Sequence, residues 1–123
     1  MSYTTADKVR TITGLTESDI TDSEINDVIS IADNIINNEA DVTLDTTLKE
    51  LASTYLSASI IMQRLSSQIA TSSVAEFSLG GLKVSKKSMI QLRDYLSNQF
   101  FKMYQKIVNL GLDGTSVRKI DTD

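Results

Sequence analysis

The chain has no cysteine, no histidine, no proline and no tryptophan among its 123 residues. Without cysteine, disulfides and thiolate metal sites are excluded outright. Without histidine, the side chain best suited to proton transfer near neutral pH and the commonest imidazole metal ligand is missing. Ser-His-Asp and Cys-His nucleophilic schemes are therefore impossible, which leaves carboxylates or lysine alone for any catalysis. The expectation is a protein that is not an enzyme, with no catalytic residue, cofactor or metal. No apolar run approaches the ~20 residues of a membrane span; the longest is Ile60-Ile61-Met62. No membrane partner is expected. The start shows no charged segment followed by an apolar block, so no secretory signal is read and the cytoplasm is favoured.

What is present is ordinary for a globular chain: 41% hydrophobic and 23% charged residues. The length suits one domain, with no room for two independent cores. The net charge of −4 hides a polarity. Residues 1–47 carry ten acids against Lys8 and Arg10, a net −8, while residues 48–123 carry a net +4. Such a chain can attract copies of itself front to back, as in a heterologous, ring-closing interface. The simpler reading is that the charges coat solvated helix faces.

Residues 4–14 read as a short helix capped by Thr4, with Asp7 near its positive end and Gly14 as a left-handed stop. Residues 15–20 read as a polar connection. Thr21-Asp22-Ser23-Glu24 is a capping box. Behind it Ile25, Val28, Ile29, Ala32, Ile35 and Ile36 recur at helical spacing, with Asn26, Asp27, Asp33 and Asn34 assigned to the polar side. After a polar break at 41–45, with Asp45 or Thr43 as cap, a long helix is expected over 46–67. Its apolar positions are Leu48, Leu51, Ala52, Tyr55, Leu56, Ile60, Met62 and Leu65. Apolar character wraps around near Ile60-Ile61-Met62, as for a central helix, and Ala52, Ala58 and Ser59 permit close approach of neighbours. A final helix capped by Ser85 or Ser88 carries Met89, Leu92, Leu96, Phe100, Met103, Tyr104, Ile107 and Val108, and Gly111 reads as its stop. The methionines and the aromatics Tyr55, Tyr95, Phe100, Phe101 and Tyr104 read as core, except that Phe100 and Phe101 cannot both point inward. The fold class expected is mainly α: a small bundle of three long helices and one short N-terminal helix. A single β-hairpin is inserted before the last helix. The domain covers 1–111, and 112–123 is a flexible tail with a basic-apolar patch, Val117-Arg118-Lys119-Ile120.

The hairpin is the most informative segment. Apolar residues alternate at Phe77 and Leu79 and again at Leu82 and Val84, around Gly80-Gly81, and tight hairpin turns need positive φ at their centre. An isolated two-stranded ribbon is at best marginally stable in water, so it must lie on its own helices or on a neighbouring molecule. Phe77, Leu79, Gly80, Gly81, Leu82, Lys83, Val84, Lys86 and Lys87 are accordingly the candidate subunit or partner contact. The lysines suit an acidic neighbour or nucleic acid, or serve to blunt an exposed strand against aggregation. Gly80-Gly81 with Lys83 lacks the spacing of a phosphate loop, and a strand follows where a helix is required. The acidic run Glu17, Asp19, Asp22, Glu24, Asp27 lacks the spacing and the glycine of a calcium loop. A helix-turn-helix reading fails because its second helix would carry acids and no base toward phosphates.

The order of parts resembles the head–tail connector proteins of tailed viruses. The resemblance rests on a short helix, an acidic cap, and the run Glu24-Ile25-Asn26-Asp27-Val28-Ile29-Ser30-Ile31-Ala32-Asp33-Asn34-Ile35-Ile36. A long alanine- and leucine-bearing helix from Leu48 to Leu65, a hairpin segment from Phe77 to Ser88 and a last long helix complete it. The resemblance implies a structural virion protein at the head–tail junction, assembled in the host cytoplasm. It implies a ring, commonly of twelve copies, beneath the portal protein, joining the DNA-filled capsid to a stopper or tail-completion protein. DNA passes non-specifically through the lumen. By the same resemblance Val117, Arg118, Lys119 and Ile120 are the possible portal contact, and the hairpin meets neighbouring subunits or the next ring. A short polar tail and an acidic front depart from the family pattern. The alternative is a small helical adaptor or regulatory module of a cellular complex.

Overall fold

The structure, a computed structural model, describes residues 2–39, 44–72, 76–79 and 82–116. The order of elements is α1 (Ala6–Thr13), α2 (Asp22–Glu39), α3 (Thr46–Thr71), β1 (Glu76–Leu79), β2 (Leu82–Ser85) and α4 (Lys86–Ser116). The protein is mainly helical, as its apolar periodicity requires.

Each helix start has a side-chain acceptor for amides that lack an intrahelical partner. Thr5 Oγ1 accepts from Lys8 N at α1, and Asp45 Oδ1 accepts from Leu48 N at 2.8 Å at α3. The capping box forms in full at α2, where Thr21 Oγ1 accepts from Glu24 N at 3.2 Å and Glu24 Oε1 accepts from Thr21 N at 3.3 Å. Of the two serines expected at α4, Ser85 is the cap, accepting from Ser88 N. Gly14 closes α1 with φ of 73°, a conformation open to glycine at no steric cost. Thr4, expected as the first cap, instead turns inward and pairs its hydroxyl with Thr54 at 2.6 Å. The cap moves to Thr5 because a cap must face the helix start, whereas Thr4 is buried.

The central helix is α3. α1, α2 and α4 all pack on it, whereas among the described residues α4 comes within 8 Å (Cα to Cα) of neither α1 nor α2. Burial on several sides explains its wrapped apolar character, with Ile61 and Met62 fully enclosed. One cluster joins Val9, Ile25, Val28 and Ile29 to Ile61, Met62 and Leu65. The other joins Ala32 and Ile36 to Ala52, Leu56, Tyr104 and Ile107. Fully burying such a side chain is worth about 1.5–3 kcal/mol.

Several expectations change. Leu15 and Ile20, read as part of a polar connection, are buried in the first cluster. The α1–α2 connection is thus a packed corner, held by Arg10, whose guanidinium donates to Asp22 Oδ1 and to the Ile20 carbonyl. Asp33 is buried and not on the polar side of α2. Leu51, Tyr95 and Met103, read as core, are exposed, Tyr95 by 59%. α3 runs on from 67 to Thr71, and α4 passes through Gly111 to Ser116. A glycine costs a helix only about 1 kcal/mol relative to alanine, so without a left-handed turn it does not end one. The helix end expected at Gly111 moves accordingly to Ser116, and residues 117–123 lie outside the described residues.

Small residues let α3 and α4 approach closely. Ser59 Oγ donates to the Ser97 carbonyl and Ser97 Oγ to the Ser59 carbonyl, both at 2.9 Å, a reciprocal clasp. About two turns along α3, Ser66 Oγ donates to Asp94 Oδ1 at 2.6 Å.

Candidate functional site

β1 and β2 pair antiparallel with Leu79 opposite Leu82 and Phe77 opposite Val84, so the apolar positions of the two strands meet. The register leaves two residues for the turn, Gly80 and Gly81, which lie outside the described residues, as do Val117, Arg118, Lys119 and Ile120. Among the described residues the strands come within 8 Å (Cα to Cα) of α4 alone, and of none of α1, α2 or α3. Because β2 runs directly into α4, that proximity is partly a consequence of chain continuity. The described strands are therefore joined to the bundle at the start of α4, with no backbone approach to α1, α2 or α3.

The flanking lysines divide by role. Lys83 and Lys87 are exposed, and Val84 is half-buried. Lys86 is half-buried and has an internal partner: its Nζ donates to the Ser72 carbonyl at 2.6 Å. That carbonyl lies at the C-terminus of α3, where the helix dipole favours a cation. Lys86 thus holds the ribbon's base while Lys83 and Lys87 face solvent.

Beyond them, the outer side of α4 exposes Tyr95, Phe101, Lys102, Met103 and Lys106. Phe101 packs against Tyr104 at 5.7 Å between ring centroids, whereas Phe100 turns inward toward Tyr55 at 6.2 Å. One phenylalanine faces in and one faces out, as their adjacency demands. The helix presents lysines and apolar surface together to solvent.

The acidic front is partly consumed within the molecule. Asp22 pairs with Arg10, Glu24 closes the capping box, Asp45 caps α3 and Asp33 accepts from Ser53. Asp19 Oδ2 accepts from Thr16 N and Thr16 Oγ1 at 2.9 and 3.1 Å. These acids do not converge, and among the described residues no group of three or more metal-binding side chains gathers. Glu17 and Asp27 are exposed, with no ion-pair partner among the described residues.

Sequence reading missed a cleft of about 300 Å³ between the α1–α2 corner, the end of α3 and the start of α4. Asp19, Leu65, Gln68, Ile69, Ser72, Met89 and Arg93 line it. Arg93 is half-buried, and its Nε is enclosed without an acceptor. Its Nη1 reaches only Met62 Sδ, at 3.6 Å. Burial pulls the guanidinium below the usual arginine range, and the Asp19 charge partly restores it. The available signal was modest: Arg93 is a base at a half-buried angle in the body of α4, which periodicity around Met89 and Leu96 could have located.

No protein-family model, no curated protein and no solved structure matches the chain. Among the described residues no helix is long and apolar enough to cross a membrane.

Proposed function

We propose that the chain is a non-enzymatic structural subunit of the head–tail connector type, assembling into a ring through front-to-back contacts in which the ribbon and the outer side of α4 meet a neighbour. The observation that carries this reading is the ribbon's placement, its described strands within 8 Å (Cα to Cα) of α4 and of none of α1, α2 or α3. A two-stranded ribbon gains stability from a surface to lie on, and here a neighbouring copy supplies it. The exposed Lys83, Lys87, Lys102 and Lys106 face an acidic front on that neighbour. In the assembled virion the ring sits beneath a portal protein, meets a stopper or tail-completion protein and surrounds the DNA path. The order of helices and hairpin, read against the connector family, supports that assignment.

The test is mass by light scattering at high protein concentration as salt rises to about 1 M, where the Debye length shrinks to about 3 Å. Ring-sized species at low salt should dissociate as salt rises, and at lower salt still in a Lys83→Glu/Lys87→Glu/Lys102→Glu/Lys106→Glu variant. A monomer throughout favours the cellular adaptor, and assemblies indifferent to the lysines remove the charge-paired interface. Portal, protease and capsid genes immediately upstream of this one are the expected genomic neighbourhood.

A further inference from the structure

We infer that Arg93 and its cleft receive a carboxylate, supplied in the assembled protein by an acidic side chain of a second copy. The source of the carboxylate rests on the ring reading; the site does not.

The guanidinium is poorly partnered for a half-buried cation. Nε is enclosed with no acceptor, and Nη1 meets only a thioether, a weak one. Leaving a buried charge without an ionic partner is costly, and arginine stays protonated under all ordinary conditions. Asp19 is the one acid whose charge is felt, yet it lies outside ion-pair distance, and its Oδ2 is already engaged by Thr16. The cleft in front of Arg93 has room, at about 300 Å³, for a carboxylate and the carbon that bears it. Leu65, Ile69 and Met89 wall it with apolar surface. Low local polarity strengthens a charge-assisted hydrogen bond, and the planar guanidinium matches a carboxylate in a fork that lysine cannot reproduce. Charge complementarity names the occupant: the first 47 residues carry a net −8, and Glu17 and Asp27 stand exposed there.

The experiment follows the side-chain Nε–H resonance of Arg93 in the nitrogen-15-labelled full chain, assigned by its loss in Arg93→Lys. Titration with sodium acetate should move this resonance saturably, along with backbone amides near Leu65 and Ile69. Read on those amides, Arg93→Lys should weaken acetate binding about tenfold, the scale of one lost charge-assisted hydrogen bond. Asp19→Asn should tighten it, because a like charge is removed. Adding unlabelled chain without acetate should move the same resonance, and acetate should compete. An unresponsive resonance in the acetate titration overturns the site. So does an Asp19→Asn change that by itself moves the resonance while acetate has no effect, since Asp19 then fills the cleft from within. Acetate binding without any response to added chain, in a protein that does assemble, overturns the second copy as the source. Acetate binding in a chain that never assembles upholds the site and removes the ring reading, and with it that source.

Discussion

Asp33→Ala is expected to lower the stability of the fold by about 3 kcal/mol, whereas Asp27→Ala on the same helix should change it by less than about 0.5 kcal/mol. Asp33 is only 9% exposed. Its Oδ1 accepts from Ser53 Oγ at 2.7 Å, and its Oδ2 accepts from the Tyr3 amide at 3.2 Å. One carboxylate thus ties the segment before α1 to α2 and α3. Hydrogen bonds to a charged acceptor are worth about 1.5–3 kcal/mol net, and removing the acceptor strands a fully buried serine hydroxyl. Tyr3 loses its amide anchor while keeping its hydroxyl contact with Asn37 and its ring contact with Lys49. Asp33→Asn should lie between alanine and wild type, because the amide oxygen can still accept one of the two bonds. Urea unfolding checks this: the midpoint should fall with an unchanged slope, as expected when stability alone changes. A loss no larger for Asp33→Ala than for Asp27→Ala would show that the junction contributes little.

The second large effect is expected at the serine clasp. Ser59→Leu should cost about 3–4 kcal/mol, because it combines two losses. The reciprocal bonds with Ser97 disappear, and a four-carbon side chain must enter where small residues bring two helices together. Ser59 is 7% exposed and Ser97 4%, and both border an open cleft of about 480 Å³, so a leucine at 59 either strains the seam or must turn out of it into that cleft. Ser59→Ala keeps the close approach and removes only the hydroxyl, with a cost of about 1 kcal/mol. Ser67→Leu is the control, since that serine is exposed on the same helix, and it should fall within about 0.5 kcal/mol of wild type. Thermal unfolding of the three variants should rank them in that order. Equal losses for leucine and alanine at 59 would mean that the added volume is taken up without strain, by the adjoining cleft or by separation of the helices, and would remove the packing part of the effect.

These two sites also show where reading the sequence succeeds and where it stops. Periodicity found the three long helices and the ribbon because Ile25, Val28, Ile29, Ala32 and Ile36 all fall on the face that α2 buries. The capping box and the Asp45 cap were legible because their partners are local in sequence. Asp33 was misplaced because a charged residue at an interior angle of a helix is usually on the polar side, and its partners Ser53 and Tyr3 are distant in the chain. Leu15 and Ile20 were hidden among polar neighbours in a segment without periodicity. Tyr95 and Met103 were assigned inward by residue type, although α4 packs mainly on α3, which leaves a broad side of the helix exposed. In the candidate contact surface, the ribbon and its register were legible from alternation and from Gly80-Gly81. The separate role of Lys86 was not, since it depends on the Ser72 carbonyl at the end of another helix. The Arg93 cleft was illegible for the same reason, being assembled from the α1–α2 corner, α3 and α4.

The central claim, that the ribbon lies on a neighbouring copy, can be tested directly because the chain contains no cysteine. A Lys83→Cys variant places a unique thiol on the exposed side of β2 for attachment of a short photo-crosslinker. Irradiated at low salt, this protein should yield covalent dimers and higher ladders, with adducts mapping to the acidic first 47 residues of a second chain. Raising the salt should abolish them. Adducts confined to the same chain would contradict the account, since the ribbon would then lie on its own bundle.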